Sequence, residues 1–249
     1  EGYGLNLEAL EYLISQHVDL IISVDCGISS YDIVEAVRDR VSMIITDHHT
    51  SPPQIPRATA VVNHKQPGCP YTDKNLSGVG VAFKVCQALW KRRTGEDYRE
   101  DLDIVALGTV ADVVPLVGEN RIIVREGLRK MTESPNLGIR ALVEVAGLTG
   151  KVLSAGHIGF TLAPRLNAAG RVTHATRAVE LLITRDQQEA TEIAEELQET
   201  NAERQQIERT IFEEAYQSVL DQGPLADQCI VVAGEGWHPG VIGIVASRL

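Results

Sequence analysis

Acidic and imidazole side chains follow two separate apolar runs in the sequence. Asp25 comes directly after the run from Leu20 to Val24, and the triplet Asp47-His48-His49 follows the run at 41–45. Carboxylate oxygens suit hard divalent ions such as Mg²⁺, and an imidazole nitrogen shifts the preference toward Mn²⁺. Two such ions, about 3.5 to 4 Å apart, can activate a water and relieve the charge on a scissile phosphate. With Asp112 further along, these residues predict the larger part of a two-metal phosphoester-hydrolysing site.

Each of these residues also has a purely structural interpretation. A single aspartate after a strand is most often a turn former or a helix cap, which by itself would explain Asp25. The histidines behind Asp47 could form a polar turn, although neutral packing rarely requires two imidazoles beside a charge. We favour metal binding because both groups would lie at one edge of the same sheet.

Short helices and apolar strands alternate through the first part of the chain. A helix capped by Asn6 precedes the first apolar run, and a helix capped by Ser29 or Ser30 separates it from the second. This alternation predicts an α/β fold, with a buried parallel sheet, helices on both faces and right-handed crossovers. Ligands of such sheets bind at the carboxyl ends of the strands. Asp25 and His48 are therefore expected at one edge.

The rest of the chain is predicted to be mainly helical. After a short strand at 60–62, helices are expected at about 77–93, 102–113, 121–132 and 138–146, with Asp112 closing the second and a loop at 164–171. No proline or glycine interrupts Asp186 to Asp221, which predicts a long connector helix between two lobes. The alternative is a surface helix folded back on one core. A strand at 230–233 would then open a second domain.

These elements divide the chain into four expected segments. They are an N-terminally truncated catalytic domain at 1–120, a helical part of the same lobe at 121–185, the connector at 186–222 and a truncated second α/β domain at 223–249. The chain begins at Glu1 rather than methionine and stops inside a predicted helix, so we expect it to be part of a longer protein.

Composition limits the class of protein. No apolar run approaches the roughly 20 residues that a membrane span requires, so we expect no membrane association. A net charge of −11 is not typical of a nucleic-acid binder, but bound divalent ions would turn the acidic site into a local trap for phosphate. The four cysteines form no Cys-x-x-Cys pair, which favours reduced thiols in a cytoplasmic protein. His64 and Cys69 alone cannot form a tetrahedral zinc site.

Several segments, in order, resemble the motifs of the DHH phosphoesterases, and within that superfamily those of the RecJ family of single-strand-specific exonucleases. The matching segments are Val24-Asp25-Cys26-Gly27, Thr46-Asp47-His48-His49, Ser77 to Lys84, Gly108 to Leu116, Pro164 to Arg171 and Gly236 to Leu249, the last resembling the start of a DHHA1 domain. The resemblance covers nearly the whole chain. Two family elements are missing: an Asp-x-Asp motif expected before Glu1 and most of the DHHA1 domain.

The resemblance implies a role for each matching residue. Asp25 matches the carboxylate that bridges two Mn²⁺ or Mg²⁺ ions, and His48 and Asp112 match ligands of one of them. Asp47 and His49 match catalytic positions, Asp47 as an orienting group and His49 near the scissile phosphate. Arg165, Asn167, Arg171 and His238 match positions that face nucleic acid.

The function implied by the resemblance is 5′-to-3′ hydrolysis of single-stranded DNA in repair and recombination. A single-strand-binding protein and a helicase are expected partners. Two alternatives stay open: an oligoribonuclease or cyclic-dinucleotide phosphodiesterase with the same chemistry, and a catalytically silent scaffold that binds replication or repair proteins. Because the Asp-x-Asp motif is missing, we expect residues 1–249 alone to be inactive or weakly active.

Overall fold

The computed structural model describes residues 4–172, 175–221 and 229–249. The chain forms two compact units, the first comprising residues 1–131 and 153–158 and the second residues 132–152 and 159–249. No helix in the described part of the chain combines the length and apolar character needed to cross a bilayer. The four-segment division expected from the sequence stays a prediction.

The first unit is built on a parallel sheet of three strands in the order β1 (Leu20–Val24), β2 (Ser42–Thr46) and β3 (Ala60–Val62). Val24 lies opposite Thr46, and Thr46 lies opposite Val62. All three strands therefore end at the same edge, as the sequence predicted. The α/β class with a parallel sheet is confirmed.

Helices α1 (Leu7–Ser15) and α2 (Tyr31–Val37) cover one face of this sheet. Their apolar residues share a core with the inward-facing strand positions, and the fully packed members are Leu10, Val34, Val37, Met43 and Ile45. The opposite positions of β1 are about half exposed, including Ile22 at 54%. The expectation of a wholly buried β1 was therefore wrong, because these side chains point to the face opposite the core formed with α1 and α2.

Three further helices complete most of the first unit: α3 (Gly78–Thr94), α4 (Leu102–Ala111) and α5 (Gly118–Met131). Helix α3 contacts both β1 and β2, and α4 packs on α5. The predicted cap of α1 is confirmed, since the Asn6 side chain accepts a hydrogen bond from Ala9 N at 2.8 Å. Ser30 occupies the cap position of α2 without a side-chain capping bond. Asp112 closes α4, as predicted.

The second unit is helical. It contains α6 (Leu137–Val145), α8 (Ala163–Val172), α9 (Thr176–Ile183), the 35-residue α10 (Gln187–Asp221) and α11 (Pro239–Ala246), while the short α7 (Ala155–His157) and a π-helix (Ile158–Leu162) lead into α8. Helix α10 is continuous, as predicted. Its narrow apolar stripe packs against α6, α8 and α9, and its later turns share a core with α11.

Two expectations about the second unit were wrong. The segment 164–171 is not a loop but most of α8. It continues the helical run that starts at Ala155 and passes through the π-helix, and Ala168 and Ala169 are buried. Residues 230–233 are described but form no strand. A strand requires a hydrogen-bonded neighbour, and none of the described strands pairs with this segment.

Candidate metal centre

The predicted ligands meet at the carboxyl edge of the sheet in the first unit. His48 Nε2 lies 3.1 Å from Asp25 Oδ1 and 3.4 Å from Asp112 Oδ2. The ligand atoms of Asp25, His48 and His49 all lie within 4.8 Å of one another. Two strand ends and the end of α4 therefore bring together the three residues that the sequence predicted as ligands.

Asp25 adopts an unusual backbone conformation as the chain leaves β1. Its φ is 64°, in the left-handed region that aspartate tolerates better than most residues, and its N–H still donates to Thr46 O at 2.9 Å. The turn therefore keeps Asp25 attached to the end of β2 while it redirects the chain.

Asp47 is buried and held by several hydrogen bonds. Its Oδ2 accepts from the backbone N–H of Ile28 at 2.9 Å, and its Oδ1 accepts from the backbone N–H groups of His48 at 2.7 Å and His49 at 3.1 Å. Burial alone would raise the pKa of Asp47, but these donors and the His49 ring together lower it below its usual range. Asp47 is therefore a fixed anion that organises the turn.

His49 is oriented from two sides. Its Nδ1 lies 2.7 Å from Asp47 Oδ1, while its backbone carbonyl accepts a hydrogen bond from the Asn63 side chain at 2.9 Å. Its side chain is 46% exposed, against 8% for His48. The two histidines of the triplet therefore differ: His48 is buried and faces the carboxylates of Asp25 and Asp112, and His49 is accessible from solvent.

Three polar atoms of His48 and Asp112 that are shielded from solvent make no hydrogen bond of acceptable geometry with the described residues. Neither ring nitrogen of His48 nor Oδ2 of Asp112 has a partner of acceptable geometry among the described residues. The neighbouring Asp25 carboxylate raises the pKa of His48, and the charge of Asp112 adds to this rise. Burial has the opposite effect but is smaller. Burial raises the pKa of Asp112. Converging acceptors of this kind fit a divalent cation, which would displace a proton from His48.

The start of α3 approaches Asp25 at a position where only glycine fits. A Cβ atom at Gly78 would lie 2.1 Å from Asp25 Oδ1. Ser77 caps α3 and its Oγ lies 3.0 Å from Thr109 Oγ1 of α4, with both residues fully buried. Ser77 and Gly78 lie in a segment that resembles a family motif, but no role was predicted for either residue or for Asn63. The glycines inside the helical pattern were the available signal.

The four residues predicted to face nucleic acid lie in the second unit, where three make internal contacts. Arg165 Nε donates to Gln198 at 2.7 Å, and burial lowers its pKa. His238 Nδ1 accepts from Gly240 N at 3.1 Å and caps α11. Asn167 and Arg171 are exposed on α8, although Arg171 also donates to Gly240 O at 2.9 Å.

Residues 4–109 match the model of the DHH family, N-terminal domain. This part of the chain is similar to a DHH domain. This domain contains the sheet, Asp25, the triplet at 47–49 and α3, while Asp112 lies three positions beyond the matched range. The family match therefore includes the edge of the sheet that carries Asp25 and the triplet at 47–49.

Over its whole length the chain is similar to several RecJ exonucleases. The "single-stranded-DNA-specific exonuclease RecJ" of Bacillus subtilis is 44% identical over 252 residues, which cover 100% of this chain and 31% of that protein. A solved structure described as exonuclease RecJ bound to manganese superposes with a TM-score of 0.86 at 38% identity and covers 100% of this chain and 62% of its own. RecJ of Thermus thermophilus in complex with Mn²⁺ gives 0.85 at 38% identity, covering 98% of this chain and 36% of its own.

Proposed function

We propose that the protein to which this chain belongs is a metal-dependent exonuclease that hydrolyses single-stranded DNA from the 5′ end. The observation that carries the proposal is the convergence of His48 Nε2 with carboxylate oxygens of Asp25 and Asp112 at 3.1 and 3.4 Å. The similarity to single-stranded-DNA-specific exonucleases over the full length of this chain supports the substrate. The 5′-to-3′ polarity is what the resemblance of the sequence motifs implies. Repair and recombination are the processes that this activity would serve.

The metal ligands in the proposal are Asp25, His48 and Asp112. Their oxygen and nitrogen donors suit Mn²⁺, with Mg²⁺ as the harder alternative. A bound ion supplies an activated water and neutralises charge on the phosphate. Since this chain spans 31% of its Bacillus subtilis relative, further carboxylates for a second ion are proposed to come from the longer protein.

The groups around the ligands have separate proposed roles. Asp47 holds the turn and orients His49 through the 2.7 Å contact with Nδ1. His49 is accessible and, as an imidazolium, can donate a hydrogen bond from Nε2 to an oxygen that gains negative charge during hydrolysis. Of the four residues predicted to face nucleic acid, Asn167 and Arg171 are exposed on α8, and we propose that they contact the DNA backbone. We assign Arg165 and His238 to internal contacts, because each makes a hydrogen bond within the second unit.

The test uses the full-length protein with Mn²⁺ and long single-stranded DNA labelled at either end. We expect nucleotide release from the 5′ end and a loss of at least about 100-fold in rate for Asp25→Ala and His48→Ala. Asp32→Asn, an exposed acid on α2, is the matched control and should keep the wild-type rate. Circular dichroism of each variant checks that the fold is retained.

Three results would contradict the proposal in different ways. Unchanged rates for both ligand variants would support a scaffold that binds other proteins. Release of nucleotides from short RNA, without degradation of long single-stranded DNA, would support an oligoribonuclease or cyclic-dinucleotide phosphodiesterase. Release from the 3′ end would overturn the polarity. The single-strand-binding protein and the helicase stay predicted partners.

A further inference from the structure

A pocket of about 400 Å³ in the second unit collects positive charge on an otherwise acidic chain. It lies between α10 and α11 and is lined by Arg204, Gln205, Glu208, Arg209, Phe212 and Arg248. Three guanidinium groups therefore face one carboxylate in a protein whose net charge is −11. An excess of positive charge at one place on an acidic surface identifies a candidate site for an anion.

Most of the pocket wall is fixed in place before any ligand arrives. Arg204 donates to Glu208 at 2.5 Å and to Asn201 at 3.0 Å, and the side chains of Arg204 and Glu208 are 11% and 12% exposed. The Glu208 carboxylate also accepts from Arg248 at 2.6 Å. Arg248 stacks over the Phe212 ring, 4.4 Å from its centroid. Guanidinium groups held this way lose little entropy when they bind an anion.

Arg209 supplies positive charge that no neighbour neutralises. It is exposed, lines the pocket, and makes no ion pair or side-chain hydrogen bond with another described residue. Arg248 is 49% exposed even though it is paired with Glu208, so part of its donor fork also faces solvent. Glu208 alone cannot balance Arg204, Arg209 and Arg248. The pocket therefore has spare donors for one more anion.

We propose that this pocket binds a phosphodiester group of single-stranded DNA, remote in sequence from the metal ligands. The guanidinium fork matches the paired oxygens of a phosphate, whereas a carboxylate of Glu208 repels them. The inference rests on the proposed DNA substrate but concerns a different site. It adds Arg209 and Arg248 to the nucleic-acid contacts and assigns Arg204 to positioning the pocket.

The experiment measures binding of a fluorescent single-stranded oligonucleotide to the 249-residue chain in EDTA, so that neither metal binding nor hydrolysis contributes. Arg209→Gln should weaken binding about fivefold at low salt and reduce the slope of log affinity against log salt by about 0.7. Glu208→Gln should strengthen binding, because it removes a repelling charge and keeps a hydrogen-bond acceptor. Arg185→Gln, an exposed arginine outside the pocket, should bind like the wild type.

Opposite shifts for Arg209→Gln and Glu208→Gln would support the site, and thermal unfolding shows whether each variant is folded. Wild-type affinity and salt slope for Arg209→Gln would overturn it, as would an equal loss for Arg185→Gln. A polyglutamate peptide that displaces the oligonucleotide as well as unlabelled DNA would identify an acidic protein segment as the ligand and also overturn it. Failure of hydrolysis in the full-length protein would refute the proposed function while leaving this binding result unaffected.

Discussion

Each of the two units contains a cluster of ionisable side chains around a buried residue, His48 in the first and Arg204 in the second. The clusters differ in how their charges are balanced. In the first unit, His48 faces Asp25 and Asp112, and acceptor atoms of His48 and Asp112 make no acceptable hydrogen bond with the described residues. In the second unit, Arg204 and Glu208 are bonded to each other and to Asn201 and Arg248. In our proposal a bound cation supplies the counter-charge of the first cluster, whereas in the second the buried charges of Arg204 and Glu208 balance each other.

Because of this difference, we expect replacements in the two clusters to affect ligand binding and folding stability differently. Groups that lack internal partners contribute little to holding the fold together, so their replacement should affect ligand binding more than folding. Groups that pair with each other inside a helical core should behave in the opposite way, because removing one of them leaves the other buried without a partner. Three measurements test this contrast.

The largest effect is expected in the balanced cluster. Glu208→Ala leaves Arg204 buried and unpaired, so the free energy of unfolding should fall by about 3 to 5 kcal/mol. Urea unfolding followed by circular dichroism measures this change. Glu199→Ala, an exposed glutamate on the same helix, is the control and should change stability by less than about 0.5 kcal/mol. Equal losses for the two variants would show that the Arg204–Glu208 pair has no special role.

A smaller effect is expected from metal binding to the unbalanced cluster. Mn²⁺ at about 100 times its dissociation constant should stabilise the wild-type chain by about 2.7 kcal/mol, because it binds the folded form alone. Asp112→Asn should remove most of this gain and leave the stability without metal almost unchanged. Asp39→Asn, whose side chain is 96% exposed, should retain the full gain. Full Mn²⁺ stabilisation of Asp112→Asn would exclude Asp112 as a ligand.

The smallest of the three effects concerns Asp47, which resembles the balanced cluster although it lies beside the metal ligands. Asp47→Asn should cost about 2 kcal/mol at neutral pH, because backbone donors lose a charged acceptor. Since the pKa of Asp47 is lowered on folding, its contribution is present above the unfolded pKa of about 3.9 and disappears as pH falls through the folded value. Urea titrations from pH 7 to 3 should therefore show the two proteins converging in acid, and a constant difference would contradict this.

The sequence was sufficient to predict the edge of the sheet but not the contacts beneath it. Alternating helices and apolar runs imply parallel strands, and parallel strands bring Asp25 and the triplet at 47–49 to one edge whatever the loops do. The approach of Gly78 to Asp25 depends on where α3 begins in three dimensions, which no local pattern records. The sequence therefore located the proposed ligands without showing what separates them.

Errors in the second unit have a similar origin. Proline, asparagine and glycine made 164–171 resemble a loop, but burial of Ala168 and Ala169 stabilises a helix there. Along the acidic helix α10, Glu208 is paired inside the unit. Residue type alone does not show which member of a charged run turns inward, because that depends on the neighbouring helices.

Helix α3 approaches Asp25 closely and therefore helps to set the size of the proposed metal site. Asp25 lies against Gly78 at the start of α3, Asp112 ends α4, and the contact between Ser77 and Thr109 ties the two helices together. The spacing of the two carboxylates is thus governed by a helix pair as well as by the sheet. Substitutions between α3 and α4, distant from any ligand, should alter the discrimination between Mn²⁺ and the larger Ca²⁺.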